Sequence, residues 1–185
     1  MKRITTVLFT LVLLAGVSAS LGAQQVTIED LDARRNAVNA TGMLVLGSWA
    51  VANIGVNSAL YFTTEEDIRY FYEMNMMWNV VNLGIAGLGY WGAVRGGASE
   101  DVYSAVDAQY TLEKALLFNA GLDTAYMMTG LFLTEYAKNA SSNQARLRGY
   151  GQSLLLQGGF LLAFDVVMYA IQRGSRSLMQ PLLNE

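Results

Sequence analysis

The chain lacks cysteine and histidine altogether, and it has little charge. Of its 185 residues, 15% are charged and 53% are hydrophobic, whereas a typical soluble domain is about 25% charged. Without cysteine, neither disulfides nor thiolate chemistry is available. Without histidine, the commonest haem and zinc ligand and the usual general base are missing as well. The sequence therefore predicts no metal site, no cofactor and no catalytic residue, and it favours a protein that is not an enzyme.

Basic runs and prolines are also scarce. The net charge is −3 and no long stretch of lysine and arginine occurs, so the chain has no electrostatic footprint for nucleic acid. The only proline is Pro181, near the C-terminus. Helices before that point can therefore run without an enforced kink. The deficit of charge indicates a surface that faces lipid, and membrane lipid is the partner that we expect.

The first residues have the layout of a secretory signal peptide. MKR is a short basic start, ITTVLFTLVLLAGV is an apolar core, and SASLGAQQ supplies small residues before a polar stretch. We predict a signal peptide over residues 1–23, cleaved after Ala23, with Ala19 or Ser20 as alternative sites. The other interpretation is an uncleaved signal anchor. Both direct the chain to a membrane or across it.

Four later stretches have the ~20 apolar residues that a membrane-spanning helix needs. They cover residues 43–62, 74–94, 115–134 and 151–172. Their apolar residues surround each helix instead of forming one stripe, which favours lipid contact over a soluble four-helix bundle, the alternative. The sequence thus predicts an all-α fold, a four-transmembrane-helix bundle occupying residues 43–172.

Shorter segments flank this domain. Residues 24–42 form a predicted N-terminal amphipathic segment that opens with Thr27 and Asp30 at capping-box spacing. It is either a short helix on the membrane surface or a solvated lead-in to the first span. Ser99 and Ser141 are the expected caps of the third and fourth helices. Residues 173–185 are a predicted C-terminal tail.

The expected location is the bacterial inner membrane, with both termini on the exported side. A cleaved signal leaves the mature N-terminus outside, and four crossings return the C-terminus to that side. The distribution of lysine and arginine leans the other way, with six on the exported side and four in the cytoplasmic loops. We give the signal precedence over a difference of two charges.

Two polar stretches within the spans resemble each other. Residues 53–59 read NIGVNSA and residues 119–125 read NAGLDTA, with Asn, Gly and Ala at matched places. Two crossings separate them, so their helices point the same way. This pattern predicts a duplicated helical hairpin, an arrangement that transporters also use.

The polar residues within the spans recur at helical spacing and share faces. Since no lysine, arginine or histidine lies in any span, we expect the acids to face inward as neutral carboxylic acids bonded to amides. The predicted intramembrane polar network consists of Asn53, Asn57, Asn75, Asn79, Asn82, Asn119, Asp123, Gln157 and Asp165.

Two functions compete for this network. In the first, its role is structural, since amides and acids join helices where the hydrophobic effect cannot. In the alternative, Asp123 and Asp165 serve a small-solute or proton-linked transporter or channel. Lipid or pigment binding between helices and an intramembrane enzyme are further alternatives. The spacing of Gly92 and Gly96 also suggests a homo-oligomer.

Three motifs carry a family resemblance. With the signal peptide and the four spans, the stretch WNVVN at 78–82, the pair Asn119 and Asp123, and QGGFLLAFD at 157–165 resemble a bacterial family of small four-helix membrane proteins. That family has a domain of unknown function, so the resemblance implies inward-facing polar positions and no particular activity.

Overall fold

The computed structural model describes residues 26–64 and 66–183, which form four long helices and a short C-terminal segment. The helices are α1 (Ile28–Thr63), α2 (Glu66–Arg95), α3 (Val102–Ala137) and α4 (Gln144–Gly174), followed by a 3-10 turn (Ser175–Leu178) and α5 (Met179–Leu183). The prediction of an all-α fold with four long helices is confirmed. The predicted signal peptide over residues 1–23 lies outside the described residues.

Side-chain caps explain where α1 and α3 begin, whereas α4 begins without one. Thr27 and Asp30 form the predicted capping box of α1, each side chain accepting a hydrogen bond from the other's backbone N–H. The prediction that Ser99 caps α3 was wrong, because Asp101 accepts the bond from the Ser104 backbone N–H at 2.7 Å. That hydrogen bond lowers the pKa of Asp101. Ser141 is likewise not the cap of α4, which follows Asn143 in the left-handed conformation at φ 59°.

α1 continues without a break through the predicted amphipathic segment and the first predicted span. Residues 28–42 are its first turns, so the structure favours the lead-in alternative over a separate surface helix. The predicted tail also has regular structure, because the 3-10 turn and α5 follow α4 directly. Met179 and Leu182 of this segment pack against Leu31 of α1 and Ala105 of α3.

The four helices form two antiparallel hairpins, α1 with α2 and α3 with α4, and the hairpins meet mainly through α2 and α4. Glycines allow the closest approaches. A Cβ atom on Gly149 of α4 would lie 2.7 Å from the backbone nitrogen of Phe71 in α2, and one on Gly151 would lie 2.7 Å from the carbonyl oxygen of Gly130 in α3. Backbone thus packs against backbone at these points, as small residues permit between membrane helices.

The interior of the bundle is unusually polar. Among the described residues, fourteen buried residues are polar or charged and thirteen are hydrophobic, whereas buried positions in soluble proteins are mostly apolar. The central apolar cluster comprises Leu46, Ala86, Leu116, Phe164 and Met168. A core this small leaves much of the contact between helices to polar side chains.

The outer surface is correspondingly apolar. Phe62, Leu88 and Phe118 are 77%, 74% and 68% exposed. Within the described residues, two helices are long and apolar enough to cross a membrane, α1 and the continuous helical segment from Gln144 to Leu183. The helices α2 and α3 are long, but neither contains a stretch apolar enough to qualify as a membrane span. The four-helix arrangement is therefore established, and two of its helices have the composition of membrane spans.

Candidate functional site: a polar core and an acid-lined cavity

Gln157 of α4 is the centre of a hydrogen-bonded group in one half of the bundle. Its Oε1 accepts from Trp49 Nε1 of α1 at 3.0 Å, and its Nε2 donates to Asn75 Oδ1 of α2 at 2.6 Å and to Asn53 Oδ1 at 3.4 Å. Stacking of the Trp49 ring on Phe160, at 3.8 Å between centroids, holds the indole in place. One fully buried side chain therefore connects three helices.

The asparagines around Gln157 also bond to their own helices. Asn57 Nδ2 donates to the Asn53 carbonyl at 2.7 Å, and Asn79 Nδ2 donates to the Asn75 carbonyl at 2.7 Å. The spacing of four residues brings each amide next to the carbonyl one turn earlier. Asn82 Nδ2 lies 3.5 Å from Asn79 Oδ1, at the limit of a hydrogen bond. We call these groups the amide cluster: Trp49, Asn53, Asn57, Asn75, Asn79, Asn82 and Gln157.

The two buried acids of the predicted network line one cavity together. Asp123 of α3 and Asp165 of α4 are neighbours that line the same cavity, and no hydrogen bond joins their carboxyl groups among the described residues. Gly158 explains their proximity: a Cβ there would lie 3.0 Å from the Asp123 carbonyl oxygen, so α4 approaches α3 closely. Asp165 is two turns further along the same face. Both residues are buried, and Asp123 Oδ2 has no hydrogen-bond partner among the described residues.

The acid pair lines a cavity of about 330 Å³ between the two hairpins, to which all four helices contribute. Its lining is apolar and aromatic apart from the two acids and three asparagines, Asn39, Asn82 and Asn119. Trp78 and Tyr126 close one part of the wall with their rings edge to face, 4.7 Å apart. The carboxyl groups of the two acids therefore border a space whose wall is otherwise largely apolar.

Asn119 differs from the other predicted network residues. It lines the cavity but is exposed, and none of the hydrogen bonds of the described residues involves its side chain. Asn119 and Asp123, one helix turn apart, both line the cavity, and no hydrogen bond joins their side chains among the described residues. The duplicated hairpin stays a prediction. Asn57 and Asp123 are both buried, as a repeat requires, but Asn57 bonds within its own helix while Asp123 meets another helix.

A second polar group at the opposite end of the bundle was missed by the sequence analysis. We call it the charge cluster; it consists of Asp32, Arg35, Ser99, Gln109, Glu113, Gln172 and Arg176. Most of these side chains are buried. The spacings of Asp32 with Arg35 and of Gln109 with Glu113 were available as signals, because residues three or four apart share a helix face.

Ion pairs and amide bonds hold the charge cluster together. Arg35 Nη2 lies 2.7 Å from Asp32 Oδ1, and the Ser99 hydroxyl donates to the same oxygen at 3.1 Å. Glu113 is 2% exposed and pairs with Arg176, whose pKa the resulting hydrogen bond raises. These bonds tie α1, the α2–α3 connection, α3 and the C-terminal segment to one another.

Gln109 and Gln172 link the two ion pairs. Gln109 Nε2 donates to the Gln172 carbonyl at 2.9 Å, and Gln172 Nε2 donates to the Arg35 carbonyl at 3.2 Å. The end of the bundle at which α1 begins and α4 ends is therefore closed by charged and amide groups. The amide cluster and the acid pair lie beyond this end, in the part of the bundle without other ionisable side chains.

Comparison with known proteins gives a family and no activity. No curated protein and no solved structure matches the chain. The family described as a family of unknown function, DUF6992, matches residues 45–166. This range contains the amide cluster and the acid pair, and it covers more than half of the chain. The chain therefore belongs to this family of unknown function.

Proposed function

We propose that the protein is a multi-pass integral membrane protein of the bacterial inner membrane whose polar core has a structural role. Each of the four helices has a band without exposed charge: residues 36–64, 74–94, 115–134 and 149–172. The only ionisable acids in these bands are Asp123 and Asp165, and both are buried. Charge at membrane depth is tolerated when it faces the bundle interior.

The exposed faces of α2 and α3 support the same proposal. Although α2 and α3 contain no uninterrupted apolar stretch that qualifies as a membrane span by itself, their outward side chains are not polar. Val80 and Val81 of α2 are 61% and 60% exposed, and Leu117 and Phe132 of α3 are 51% and 64% exposed. Asparagines and an aspartate lower the apolarity of these helices, but those side chains mostly face inward. Lipid contact by all four helices would explain this distribution.

The bridge made by Gln157 carries the structural assignment. Between membrane helices no hydrophobic force drives association, and packing and hydrogen bonds must provide it. Gln157 bonds to Trp49 in α1 and Asn75 in α2 while Gly158, its neighbour, lets α4 approach α3. The amide cluster thus joins the hairpins in a part of the bundle where no ion pair among the described residues links one helix to another.

Cysteine labelling tests the membrane topology, since the natural chain has no cysteine. Ala98 lies in the α2–α3 connection and Asn139 in the α3–α4 connection, and both are exposed. We expect Ala98→Cys to react with a membrane-impermeant maleimide from outside the inner membrane, and Asn139→Cys only after permeabilisation. Equal labelling of both in intact spheroplasts would contradict four crossings. Intact mass should also show a mature chain that begins near Gln24.

A second candidate function, a small-solute or proton-linked path through Asp123 and Asp165, is favoured by one observation. The acid pair borders a cavity, and Asp123 Oδ2 has no hydrogen-bond partner among the described residues. A group that served only to join helices would be expected to have its bonds satisfied. The amide cluster meets that expectation and the acid pair does not.

Two variants of Asp123 separate the structural function from the path. Asp123→Asn keeps the shape and most hydrogen-bonding capacity while removing the titratable proton, and Asp123→Leu removes the polar contact as well. If the role is structural, we expect the Asn variant to match the natural protein in thermal stability and in complementation of a deletion strain, and the Leu variant to lose both. A stable Asn variant that fails to complement would favour the path. Asp107→Asn, an exposed position on the same helix, is the matched control.

A further inference from the structure

The geometry points to the cavity between the hairpins as a binding site for a small organic cation, a protonated amine with an apolar body. This inference names a ligand class for the second candidate function and rests on the acid pair that it uses. It concerns equilibrium binding and does not require conduction. Three features of the cavity carry it: the sign of its charge, the chemistry of its wall and the position of its opening.

All the charge of the cavity has one sign. Asp123 and Asp165 belong to its lining, and no lysine or arginine does. Two neighbouring carboxyl groups are stabilised by a proton or a cation near them, because two bare carboxylates repel each other. Asp123 Oδ2 is buried in a residue that is 3% exposed and has no partner among the described residues. An ammonium group has several N–H donors and no acceptor, so it can satisfy this oxygen and bridge both acids.

The wall fits an apolar body beside that charge. Trp78, Tyr126 and Phe164 line the cavity together with Leu116 and Leu161. Aromatic faces attract ammonium groups, and small-molecule sites are mostly apolar with a few polar anchors. The volume of about 330 Å³ is near the small end of the range of roughly 300–1,000 Å³ for such sites. A compact amine therefore fits better than a long polyamine.

An inorganic cation fits this wall less well. Divalent cations need several oxygen ligands, and the described residues contain no group of three or more acidic, histidine or cysteine side chains that could hold a metal ion. A bound metal would also leave the aromatic and aliphatic part of the lining without a contact. The asymmetry of the cavity, acidic at one place and apolar elsewhere, matches an amphiphilic cation.

The opening of the cavity points to the same ligand class. Val81 and Ile85 of α2 and Ala115, Asn119 and Leu122 of α3 line the cavity and are also exposed. The cavity is therefore open between α2 and α3, two helices that do not pack closely against each other. Under the proposed topology this opening faces lipid. A small amine with an apolar body can partition into the bilayer and enter there, whereas a hydrated metal ion cannot.

Calorimetric titration of the purified full chain in detergent micelles tests the site with named probes. Benzylamine is a compact amine that is protonated at neutral pH, and benzyl alcohol keeps its ring and size without the charge. We expect benzylamine to bind saturably at one site and benzyl alcohol to bind at least tenfold more weakly. Equal binding of the two compounds, or no saturable binding of benzylamine, would overturn the proposal.

Variants locate the site. Asp123→Asn and Asp165→Asn should each weaken benzylamine binding at least tenfold, and Asp107→Asn should bind as the natural protein does. Because an acid variant can lose affinity through misfolding, Ala115→Leu supplies an independent arm: it places a larger side chain at the opening of the cavity and keeps both carboxyl groups. We expect Ala115→Leu to retain the natural circular dichroism spectrum and to lose benzylamine binding. Unchanged affinity in a folded Ala115→Leu protein would place any amine site elsewhere and contradict the inference.

Binding and conduction are measured separately. A protein that binds benzylamine through the acid pair but moves no amine or proton in proteoliposomes would contradict the path and leave the site intact. A protein that conducts protons but ignores benzylamine in all its folded variants would do the reverse. The two proposals can therefore fail independently.

Discussion

The two ends of the bundle are held by different chemistry. At the end where α1 begins, buried ion pairs such as Asp32 with Arg35 connect the helices. In the other half, neutral amides do so, with Gln157 bonded to Trp49 and Asn75. The first group lies outside the bands without charge, and the second lies within three of them. Under the proposed topology, contact between helices is made by ions near the membrane surface and by amides at membrane depth.

The cost of desolvation explains this division. A charged side chain at the centre of a bilayer costs at least ~2.5 kcal/mol on insertion scales, whereas amides bond to neighbours without carrying net charge. Asparagines also bond to the carbonyl one turn earlier, as Asn57 does, so they need fewer partners on other helices. Asp123 and Asp165 are the only acids within the bands that otherwise contain neutral polar groups, which makes them the candidates for a functional role.

The largest expected effect comes from the charge cluster. Arg35→Met leaves the buried Asp32 carboxylate without its guanidinium partner, and we expect the free energy of unfolding to fall by about 3–5 kcal/mol. Denaturant titration of the purified protein would measure the change. The double variant Asp32→Asn with Arg35→Met removes both charges, and it should be more stable than the single variant. If the double variant were the weaker, the two charges would not act as a pair.

An intermediate effect is expected in the amide cluster. Gln157→Leu removes the bonds to Trp49, Asn75 and Asn53 and leaves the Trp49 indole N–H and the Asn75 side-chain Oδ1 unsatisfied, so the free energy of unfolding should fall by about 2–3 kcal/mol. The control is Gln152→Leu, the same substitution at an exposed position of α4, which should change little. Similar losses in both variants would show that the bridge is not what joins the hairpins.

A smaller effect is expected where backbones touch. Gly151→Ala places a methyl group 2.7 Å from the Gly130 carbonyl oxygen, so α3 and α4 must separate, at a cost of about 1–2 kcal/mol. Gly159→Ala on the same helix meets nothing within 4 Å, and it should stabilise the helix by about 0.5–1 kcal/mol because alanine is the better helix former. Thermal unfolding of the two variants should therefore shift in opposite directions. A shift in the same direction would mean that glycine contact does not limit the approach of these helices.

Much of the polar core was predictable, because the apolar stretches of the sequence contain only a few polar side chains that could form it. Asn75, Asn79 and Asn82 repeat every three or four residues in an apolar helix, so they had to share a face, and they are buried together. Burial of Asp123 and Asp165 followed from the cost of exposing acids to lipid. Asn119 was expected to face inward with Asp123 but is exposed. A spacing of four residues places two side chains on the same helix face, but it does not determine whether another helix covers both.

The charge cluster could not be predicted by the same reasoning. Its residues lie at the ends of helices, where charge is usually solvated, and only the return of the C-terminal segment buries them. Glu113 and Arg176 are 63 residues apart in sequence and form an ion pair because the 3-10 turn after α4 places the arginine over α3. No local sequence pattern predicts a contact between residues so far apart in the chain. The pairing of Gln109 with Gln172 depends in the same way on two helices meeting.

By itself, the sequence determined the class of the fold, the number of long helices and the inward position of most polar residues. Those properties follow from the spacing of apolar and polar residues along a single helix, which can be read from the sequence. The tertiary structure decided which polar groups come together: Asp123 and Asp165 beside one cavity, and Gln157 with its three partners. Whether two polar side chains come together depends on how closely their helices approach. Glycines such as Gly151 and Gly158 set that distance, and their contacts are with residues of another helix.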